Sequence, residues 1–336
     1  MLRAARTLFT TTRLQRAYGS GNSTLKVIKS SNISARVLAD SINEEGDRLT
    51  TFELEYPRFI HSEFMTHRML SKNAASSRAI PVSKMIQNLQ ENTALPSHWG
   101  KNQKGMQAEA ERDEVVVLPG EITVTREEAW KYARDQSIQV AKAFADAGYH
   151  KQVVNRILEP YKMMKVVCSG TEYSNFFWLR LHKDAQPEIR ELADVMNEAR
   201  ELNTPVELSE GEYHLPYVTP DVIADCESYS TYADPLELAL KVSASCCAQV
   251  SYRTTDTSIA KAERIYDMLV NSEPIHASPF EHQARPITDF DVEFFSNGLL
   301  TSPITHIDRG GKFWSGNFRG WVQHRHEIPN NTFTRE

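Results

Sequence analysis

Only a few stretches of the chain show a clear pattern of apolar and polar residues, and these predict its main elements. Residues 49–60 (LTTFELEYPRFI) are rich in β-branched and aromatic residues, which predicts a strand ending near Pro57. Thr125 is followed three positions later by Glu128, the pattern of a capping box, so a helix is expected to begin there. Gly148 is expected to end that helix.

The other predicted helices are short and are separated by polar stretches. Asp184 is expected to cap a helix with Pro187 in its first turn, and Asp234 with Pro235 is expected to begin another. The remaining predicted elements are a helix or turn at 64–68, a helix at 258–270, and loops at 86–124 and 201–234. Because helices and strands do not alternate regularly, the pattern favours an α+β fold over a doubly wound sheet.

Composition narrows the class of protein. The chain has 336 residues, of which 40% are apolar and 24% charged, so it can bury a substantial core in about two domains. A net charge of −6 argues against a nucleic-acid partner bound by a uniform basic field, and no apolar run is long enough to predict a membrane span. The four cysteines show no C-x-x-C spacing and are interpreted as reduced thiols.

The first residues differ in charge from the rest of the chain. The opening MLRAARTLFTTTRLQRAYGS contains arginines, hydroxylated residues and leucines, and the first acidic residue is Asp40. This composition is typical of a mitochondrial transit peptide, so residues 1–22 predict a targeting segment and a location in the mitochondrial matrix. The alternative is a merely basic amino terminus.

The densest polar cluster spans residues 61–78 (HSEFMTHRMLSKNAASSR). Arg68 and Arg78 are separated by hydroxyls and an amide, and guanidinium groups bind phosphate in a bidentate manner. His67 can stack on a ring or donate a hydrogen bond. The alternative interpretation is a solvated segment whose Ser and Asn side chains cap helices.

Two further clusters hold candidate chemistry. Arg180 lies in the dense apolar stretch FFWLRL, where a guanidinium needs an anionic ligand or an ion pair with Glu172 or Glu188. The segment HASPFEH at 276–282 places His, Ser and Glu within one turn, but a metal site would need a third ligand that the sequence does not identify. No metal site is predicted.

Together the clusters resemble the flavin-dependent thymidylate synthases, the ThyX family, and in particular their larger phage and bacterial members. The resemblance covers most of residues 45–330. It is carried by a signature at Thr66-His67-Arg68, Ser71, Asn73-Ala74, Ser76 and Arg78, by a later block at Arg156, Asn175, Arg180 and AQPEIR (185–190), and by HASPFEH (276–282).

The resemblance implies that the chain methylates dUMP to dTMP. FAD would carry the redox chemistry, and NADPH and methylenetetrahydrofolate would be co-substrates. The implied cofactor-binding residues are His67, Arg68, Asn175, His276, Ser278 and Glu281. The implied substrate-binding residues are Glu63 (or Thr66), Ser76, Arg78, Arg156 and Arg180, of which Arg78, Arg156 and Arg180 would be catalytic by polarising the uracil carbonyls. The family builds its sites between subunits, so a homo-oligomer is expected.

The chain departs from the family pattern in order and in two residues. HASPFEH follows the signature rather than preceding it, and Trp321–Arg325 resembles a second copy, which predicts a mixed sheet wrapped by helices that is permuted or internally duplicated. The expected halves are residues 23–205 and 206–336. Thr66 replaces an arginine and Ala74 a glutamate, and Arg319 or Arg325 is a candidate substitute.

These departures leave three functions open. The first is an active FAD-dependent thymidylate synthase. The second is a catalytically degenerate ThyX-like subunit of a larger mitochondrial complex. The third is a flavin enzyme that acts on another pyrimidine or nucleic-acid base.

Overall fold

The computed structural model describes residues 26–105, 108–229, 234–251, 254–298 and 301–332. The predicted targeting segment, residues 1–22, lies outside the described residues. The strands are β1 (Val27–Ser30), β2 (Ile33–Ile42), β3 (Arg48–Pro57), β4 (Ser71–Ala74), β5 (Val116–Leu118), β6 (Ile122–Val124), β7 (Met163–Gly170), β8 (Val206–Glu207), β9 (Ala284–Pro286), β10 (His306–Ile307), β11 (Phe313–Ser315), β12 (Phe318–Arg319) and β13 (Trp321–Gln323). The helices are α1 (His61–Met65), α2 (Val82–Glu91), α3 (Arg126–Asp146), α4 (Lys151–Val154), α5 (Ser174–Arg180), α6 (Pro187–Glu201), α7 (Pro220–Tyr229), α8 (Pro235–Ala248), α9 (Ile259–Val270) and α10 (Asp289–Ser296).

A six-stranded sheet forms the centre of the fold. Its strands follow the order β1-β2-β3-β7-β4, and β8 pairs with β2 beyond the end of β1. The β2–β8 pair is parallel and the other neighbours are antiparallel. The mixed sheet with surrounding helices confirms the predicted α+β fold, and β3 confirms the predicted strand.

The two faces of the sheet are covered unequally. Successive strand residues point to opposite faces, and on one face Leu54 and Val166 pack against Ile189 and Leu192 of α6. On the other face helices α7, α8 and α9 cover only part of the sheet, where Val167 is buried. The rest of that face carries charged side chains that are only half-buried, Glu53, Glu55 and Lys165.

A separate core lies beside the sheet, between α2 and α3. Met85 and Leu89 of α2 pack with Ile138 of α3 and with Leu158. The second half of helix α2 and the hairpin of β5 and β6 fall within residues 86–124, so the prediction of one long loop there is wrong. The helix had a local signal, because Val82, Met85, Ile86 and Leu89 follow the i, i+3, i+4, i+7 spacing of an amphipathic helix.

The carboxyl-terminal residues close the fold over the turn between β2 and β3. Trp321 is fully buried against Leu49 and Leu208, and its indole Nε1 donates to the Asp47 carbonyl oxygen at 3.0 Å. Strand β13 pairs with β9. The division at 205/206 and the suggested permutation or duplication remain predictions.

The structure tests the predicted helix ends individually. Thr125 forms the predicted capping box, and Asp234 caps α8. The residue that caps α6 is Gln186, so the prediction for Asp184 is wrong, because the Gln186 side chain accepts from the Ile189 amide at 2.9 Å. The predicted loop at 201–234 contains α7, and α9 confirms the helix at 258–270. No helix within the described ranges is both long and apolar enough to cross a membrane.

Candidate functional site

The signature segment runs from α1 through a turn into β4, the edge strand of the sheet. Lys72 shapes the turn, since its ammonium group donates to the carbonyl oxygens of His67 and Leu70, the latter at 3.1 Å. The segment then continues into a short 3-10 turn at Ser77–Ala79. The signature side chains therefore divide between the two ends of β4.

At the first end, Arg180 meets Glu63 and His67. Its Nη1 donates to Glu63 Oε1, and its Nε donates to His67 Nε2 at 2.9 Å. An arginine nitrogen can only donate, so His67 Nε2 accepts and the ring proton lies on Nδ1. Burial, together with the charges of Arg180 and Lys72, lowers the pKa of His67 to about 4, so the ring is neutral at pH 7.

The partner of Arg180 differs from both expected carboxylates. Phe64 of α1 and Phe176 of α5 stack edge to face at 5.6 Å, which places Glu63 beside Arg180. Glu172 pairs instead with Arg319 at 2.7 Å, and buried Glu188 accepts from the Ser97 amide at 2.8 Å. The predictions of an Arg180 ion pair with Glu172 or Glu188 are therefore wrong.

The stretch FFWLRL is also less buried than its composition indicates. It forms most of α5, in which Phe176 is buried. Trp178 is 76% exposed, and Leu179 and Leu181 are also exposed. A helix on the surface of a fold turns only one face to the core. Arg180 is therefore half-buried rather than enclosed.

At the second end, the segment of Ser76 and Arg78 lies beside the segment of Arg156. The Ser76 hydroxyl accepts from the Arg78 amide at 3.3 Å. Asn155, the neighbour of Arg156, donates to the Ser77 carbonyl oxygen at 2.8 Å, which joins the two segments. The guanidinium groups of Arg78 and Arg156 are exposed, and neither has a hydrogen bond or ion pair with any residue that the structure describes.

HASPFEH lies against the signature segment, as the resemblance implies. The Gln323 amide nitrogen donates to the Glu281 carbonyl oxygen at 3.1 Å and to Ser71 Oγ at 3.3 Å, and so bridges the motif to β4. The Glu281 carboxylate pairs with Arg325. Other implied cofactor residues, namely Arg68, Asn175, His276 and Ser278, are exposed.

The two candidate substitutes for the missing arginine already have counter-ions. Arg319 pairs with Asp47 at 2.8 Å as well as with Glu172. Arg325 pairs with Glu281. Thr66 itself donates its hydroxyl to the Glu63 carbonyl oxygen at 2.7 Å. Neither arginine is therefore a free cation that replaces the one absent at position 66.

A cleft of about 1340 Å³ lies next to the first cluster. Glu63 and Arg180 line it, together with Phe59, His98 and Trp130. Arg78 and Arg156 are not among its lining residues. The described part of one chain thus presents Arg180 and the Arg78–Arg156 pair at separate places.

Sequence reasoning missed two residues that organise the site, Lys72 and Gln323. Burial lowers the pKa of Lys72, while the negative charge of Glu281 acts in the opposite direction. The available signals were the place of Lys72 in the signature and the place of Gln323 in the apparent second copy at Trp321–Arg325. Among the described residues no group of three or more His, Cys, Asp or Glu is arranged to hold a metal ion.

Comparison with known proteins identifies the part of the chain that carries the signature. Residues 48–206 match the family model of the thymidylate synthase complementing protein. This match confirms the ThyX resemblance over these residues. The match includes the signature, Arg156 and Arg180, whereas HASPFEH lies outside it.

Comparisons with solved structures and with curated proteins give weaker results or none. The crystal structure of a UMP/dUMP methylase, PolB from Streptomyces cacaoi bound with 5-Br UMP, has 15% sequence identity and a TM-score of 0.37. The alignment covers 52% of this chain and 91% of that chain. A search of curated proteins finds none that matches.

Proposed function

We propose that the protein is an FAD-dependent thymidylate synthase-like enzyme that methylates dUMP. The match of residues 48–206 to the thymidylate synthase complementing protein model supports this class of reaction. The substrates would be dUMP and methylenetetrahydrofolate, with NADPH as the reductant. When bound, reduced FAD supplies the hydride that completes the methyl group.

The observation that carries the proposal is the pair of guanidinium groups without counter-ions. Arg78 and Arg156 lie on two segments joined through Asn155, and both are exposed. Like charges on neighbouring segments repel each other, so an anion that both guanidinium groups contact would stabilise them. Guanidinium groups bind phosphate through parallel N–H donors, and Ser76 supplies a neighbouring hydroxyl. A nucleotide phosphate or a developing negative charge on uracil fits this set.

The same reasoning supports a site shared between two copies of the chain. Arg180 faces a cleft that Arg78 and Arg156 do not line. If all three hold one dUMP, as the resemblance implies, Arg180 of one copy would complete the site with Arg78 and Arg156 of another. We therefore infer a homo-oligomer.

The implied flavin residues are compatible with a bound cofactor. Arg68, Asn175 and Ser278 are exposed, so their donors are accessible to pyrophosphate or to a flavin carbonyl. His67 would offer its Nδ1 proton, because Nε2 accepts from Arg180. Glu281 is held by Arg325, which leaves it less able to accept from the cofactor.

A second function is favoured by the internal ion pairs. Arg180 and Glu281 each have a protein counter-ion, and Thr66 and Ala74 remove two polar groups of the family signature. A non-catalytic subunit of a mitochondrial complex would keep such pairs to hold its fold. Bound flavin separates the two functions, since only the enzyme requires it.

The decisive experiment combines flavin absorbance with dUMP titration of the purified full chain and of Arg180→Met. We expect bound flavin in the wild type, and dUMP binding weakened at least tenfold in the variant, because a lost charged contact costs about 1.5–3 kcal/mol. The variant should lose only ~1 kcal/mol of unfolding free energy, because the partner Glu63 is partly exposed and can be solvated.

Arg264→Met is the matched control, since Arg264 is an exposed arginine of α9 far from the signature in sequence. It should retain wild-type binding of dUMP. If the wild-type protein binds neither flavin nor dUMP, the proposal of an enzyme is wrong and the proposal of a non-catalytic subunit is favoured.

We also propose import into the mitochondrial matrix, supported by the basic, acid-free composition of residues 1–22. A reporter fused to these residues should enter mitochondria. A reporter that stays in the cytosol would contradict import by this segment.

A further inference from the structure

The partly uncovered face of the sheet holds a second cleft. It has a volume of about 670 Å³ and lies between α2 and residues 250–251. Its floor is formed by β1, β2, β3 and β7. None of Arg78, Arg156 and Arg180 lines it, so it is distinct from the places where dUMP is proposed to bind.

The acidic groups on the cleft floor already have partners. Glu53 accepts from Arg36 at 2.7 Å, from Lys165 at 2.7 Å and from the Tyr217 hydroxyl at 2.9 Å. Glu55 accepts from the Asn92 side chain at 3.1 Å. Burial would raise the pKa of Glu53, but the nearby cations outweigh it and the pKa is lowered. Glu91, the third carboxylate of the lining, accepts from the Gln87 side chain at 2.6 Å. Glu53 therefore pairs with Arg36 and Lys165, whereas Lys29, Lys84 and Lys162 of the lining form no ion pair with a described residue.

Lys162 is a buried cation that lines this cleft with few partners. Its exposed fraction is 7%, and its ammonium group donates to the Ala75 carbonyl oxygen at 3.3 Å. Among the described residues no carboxylate lies within 4.0 Å of it. Its backbone is held, because the Lys162 carbonyl oxygen accepts from the Arg58 amide at 2.8 Å.

A buried ammonium group with unused donors is costly, because its three N–H bonds have lost water. The pKa of Lys162 is lowered to about 8, mainly by burial and also by the charge of Arg58, while Glu159 acts in the opposite direction. At pH 7 the side chain is therefore mainly charged. An anion in the cleft would restore the missing hydrogen bonds and compensate the charge.

We propose that this cleft is a binding site for a small molecule that carries a phosphate or carboxylate group, anchored by Lys162. The neighbouring Lys84 and Lys29 add positive charge to the lining. The occupant would also contact the signature segment, because Ala75 and Ala79 line the wall. Ser251, another lining residue, accepts from the Ser76 amide at 2.9 Å. Occupancy therefore bears directly on the segment that carries Arg78.

Sulfate is a suitable first probe, because it remains a dianion over the pH range of the experiment. Sulfate should raise the melting temperature of the full chain, and this increase should level off at high sulfate concentration as the site fills. Lys162→Met should weaken this effect about tenfold or more, as expected for loss of a charged contact. In sulfate-free buffer the variant should melt no lower than wild type, because the change removes an unpaired buried charge.

Lys142→Met is the control, since Lys142 is an exposed lysine of α3 outside the cleft. It should keep the full sulfate effect. The proposal is overturned if Lys162→Met responds to sulfate as Lys142→Met does. It is also overturned if Lys162→Met melts well below wild type without sulfate, since Lys162 would then be a structural donor to Ala75.

Acetylation of lysine amines, measured by mass spectrometry, shows where the anion binds. Comparison of sulfate with a carboxylate shows which class of anion the site accepts. Sulfate should slow acetylation of Lys162 but not of Lys142, and a parallel arm with citrate tests carboxylates. Equal labelling with and without both anions would contradict the proposal. Lys162→Met should still bind dUMP, so failure of this site and failure of the proposed enzyme give different results.

Discussion

At the scale of single residues, the Glu63 carboxylate balances the charge of Arg180, and the neutral imidazole of His67 accepts a hydrogen bond from it. Glu63 supplies the negative charge, and His67 accepts the Nε proton at 2.9 Å. A protonated His67 could not accept this hydrogen bond and would repel the guanidinium. The neutral form of His67 is therefore part of the site.

The pH dependence of stability should report this neutral histidine. The pKa of His67 falls from 6.5 to about 4 on folding, so the unfolded chain binds more protons between these values. The contribution of His67 is complete above pH 6.5 and is lost as the pH falls towards 4. We expect His67→Gln to lose less unfolding free energy over this window than wild type, measured by urea denaturation.

Other histidines share this sign, so the comparison must be made against a matched variant. The pKa values of His214 and His282 are lowered to about 3 by burial, and they titrate in both proteins. His276→Gln changes an exposed histidine and should leave the wild-type slope unchanged. Equal slopes for His67→Gln and wild type would contradict the neutral His67.

Helix α3 shows how strongly an element can depend on its ends. It is 21 residues long, yet only Ile138 and Ala141 are buried. Tertiary packing usually supplies most of the stability of a helix, so here the cap matters more. Thr125 accepts from the Glu128 amide at 3.2 Å, and the Glu128 side chain accepts from the Thr125 amide at 2.8 Å.

Removal of this cap should destabilise the protein measurably. Thr125→Ala leaves the Glu128 amide without its partner, and loss of an N-cap costs ~1 kcal/mol. Chemical denaturation of the full chain would measure the change in unfolding free energy. Ser137→Ala, in the middle of the same helix, should have little effect because Ala favours the helix. Similar losses in both variants would show that the cap is not responsible.

Two other elements were predicted incompletely. Residues 86–91 of helix α2 were predicted as loop, although Val82, Met85, Ile86 and Leu89 follow the spacing of an amphipathic helix. Helix α5 was predicted from its composition as an apolar stretch in which a charge needs a partner, yet Trp178 is 76% exposed. Local composition indicates which residues are apolar, but the neighbours decide which are covered.

At the scale of the whole molecule, the two predicted halves, residues 23–205 and 206–336, pack against each other and share a sheet. Strand β8 pairs with β2, and Trp321 is buried on Leu49 of β3. Helix α8 covers Leu38 and Val167 on the sheet. The first half therefore depends on the second for the cover of its sheet.

Residues 23–205 expressed alone should not fold cooperatively. They would expose Leu38, Val167 and Leu49, and buried side chains of this size each contribute about 1.5–3 kcal/mol. We expect a broad thermal transition by circular dichroism and binding of a hydrophobic dye. Residues 23–336 are the control and should unfold sharply. A sharp transition for the shorter chain would establish the halves as independent domains.

The sequence by itself determined the elements with strong local signals and the family of the signature. The strand at 48–57, the capping box of α3 and the helices α8 and α9 follow from propensities and caps that act within a few residues. The signature residues also predict a phosphate-bearing ligand, because guanidinium groups close to hydroxyls and an amide suit a phosphate.

Only the tertiary structure decided which charges meet. Glu63 and Arg180 are 117 positions apart, and they pair because α1 and α5 pack through Phe64 and Phe176. The same holds for Glu281 with Arg325, and for Lys162, whose burial arises from segments distant in the chain. Ion pairing and burial depend on distances in space, and a linear pattern does not contain those distances.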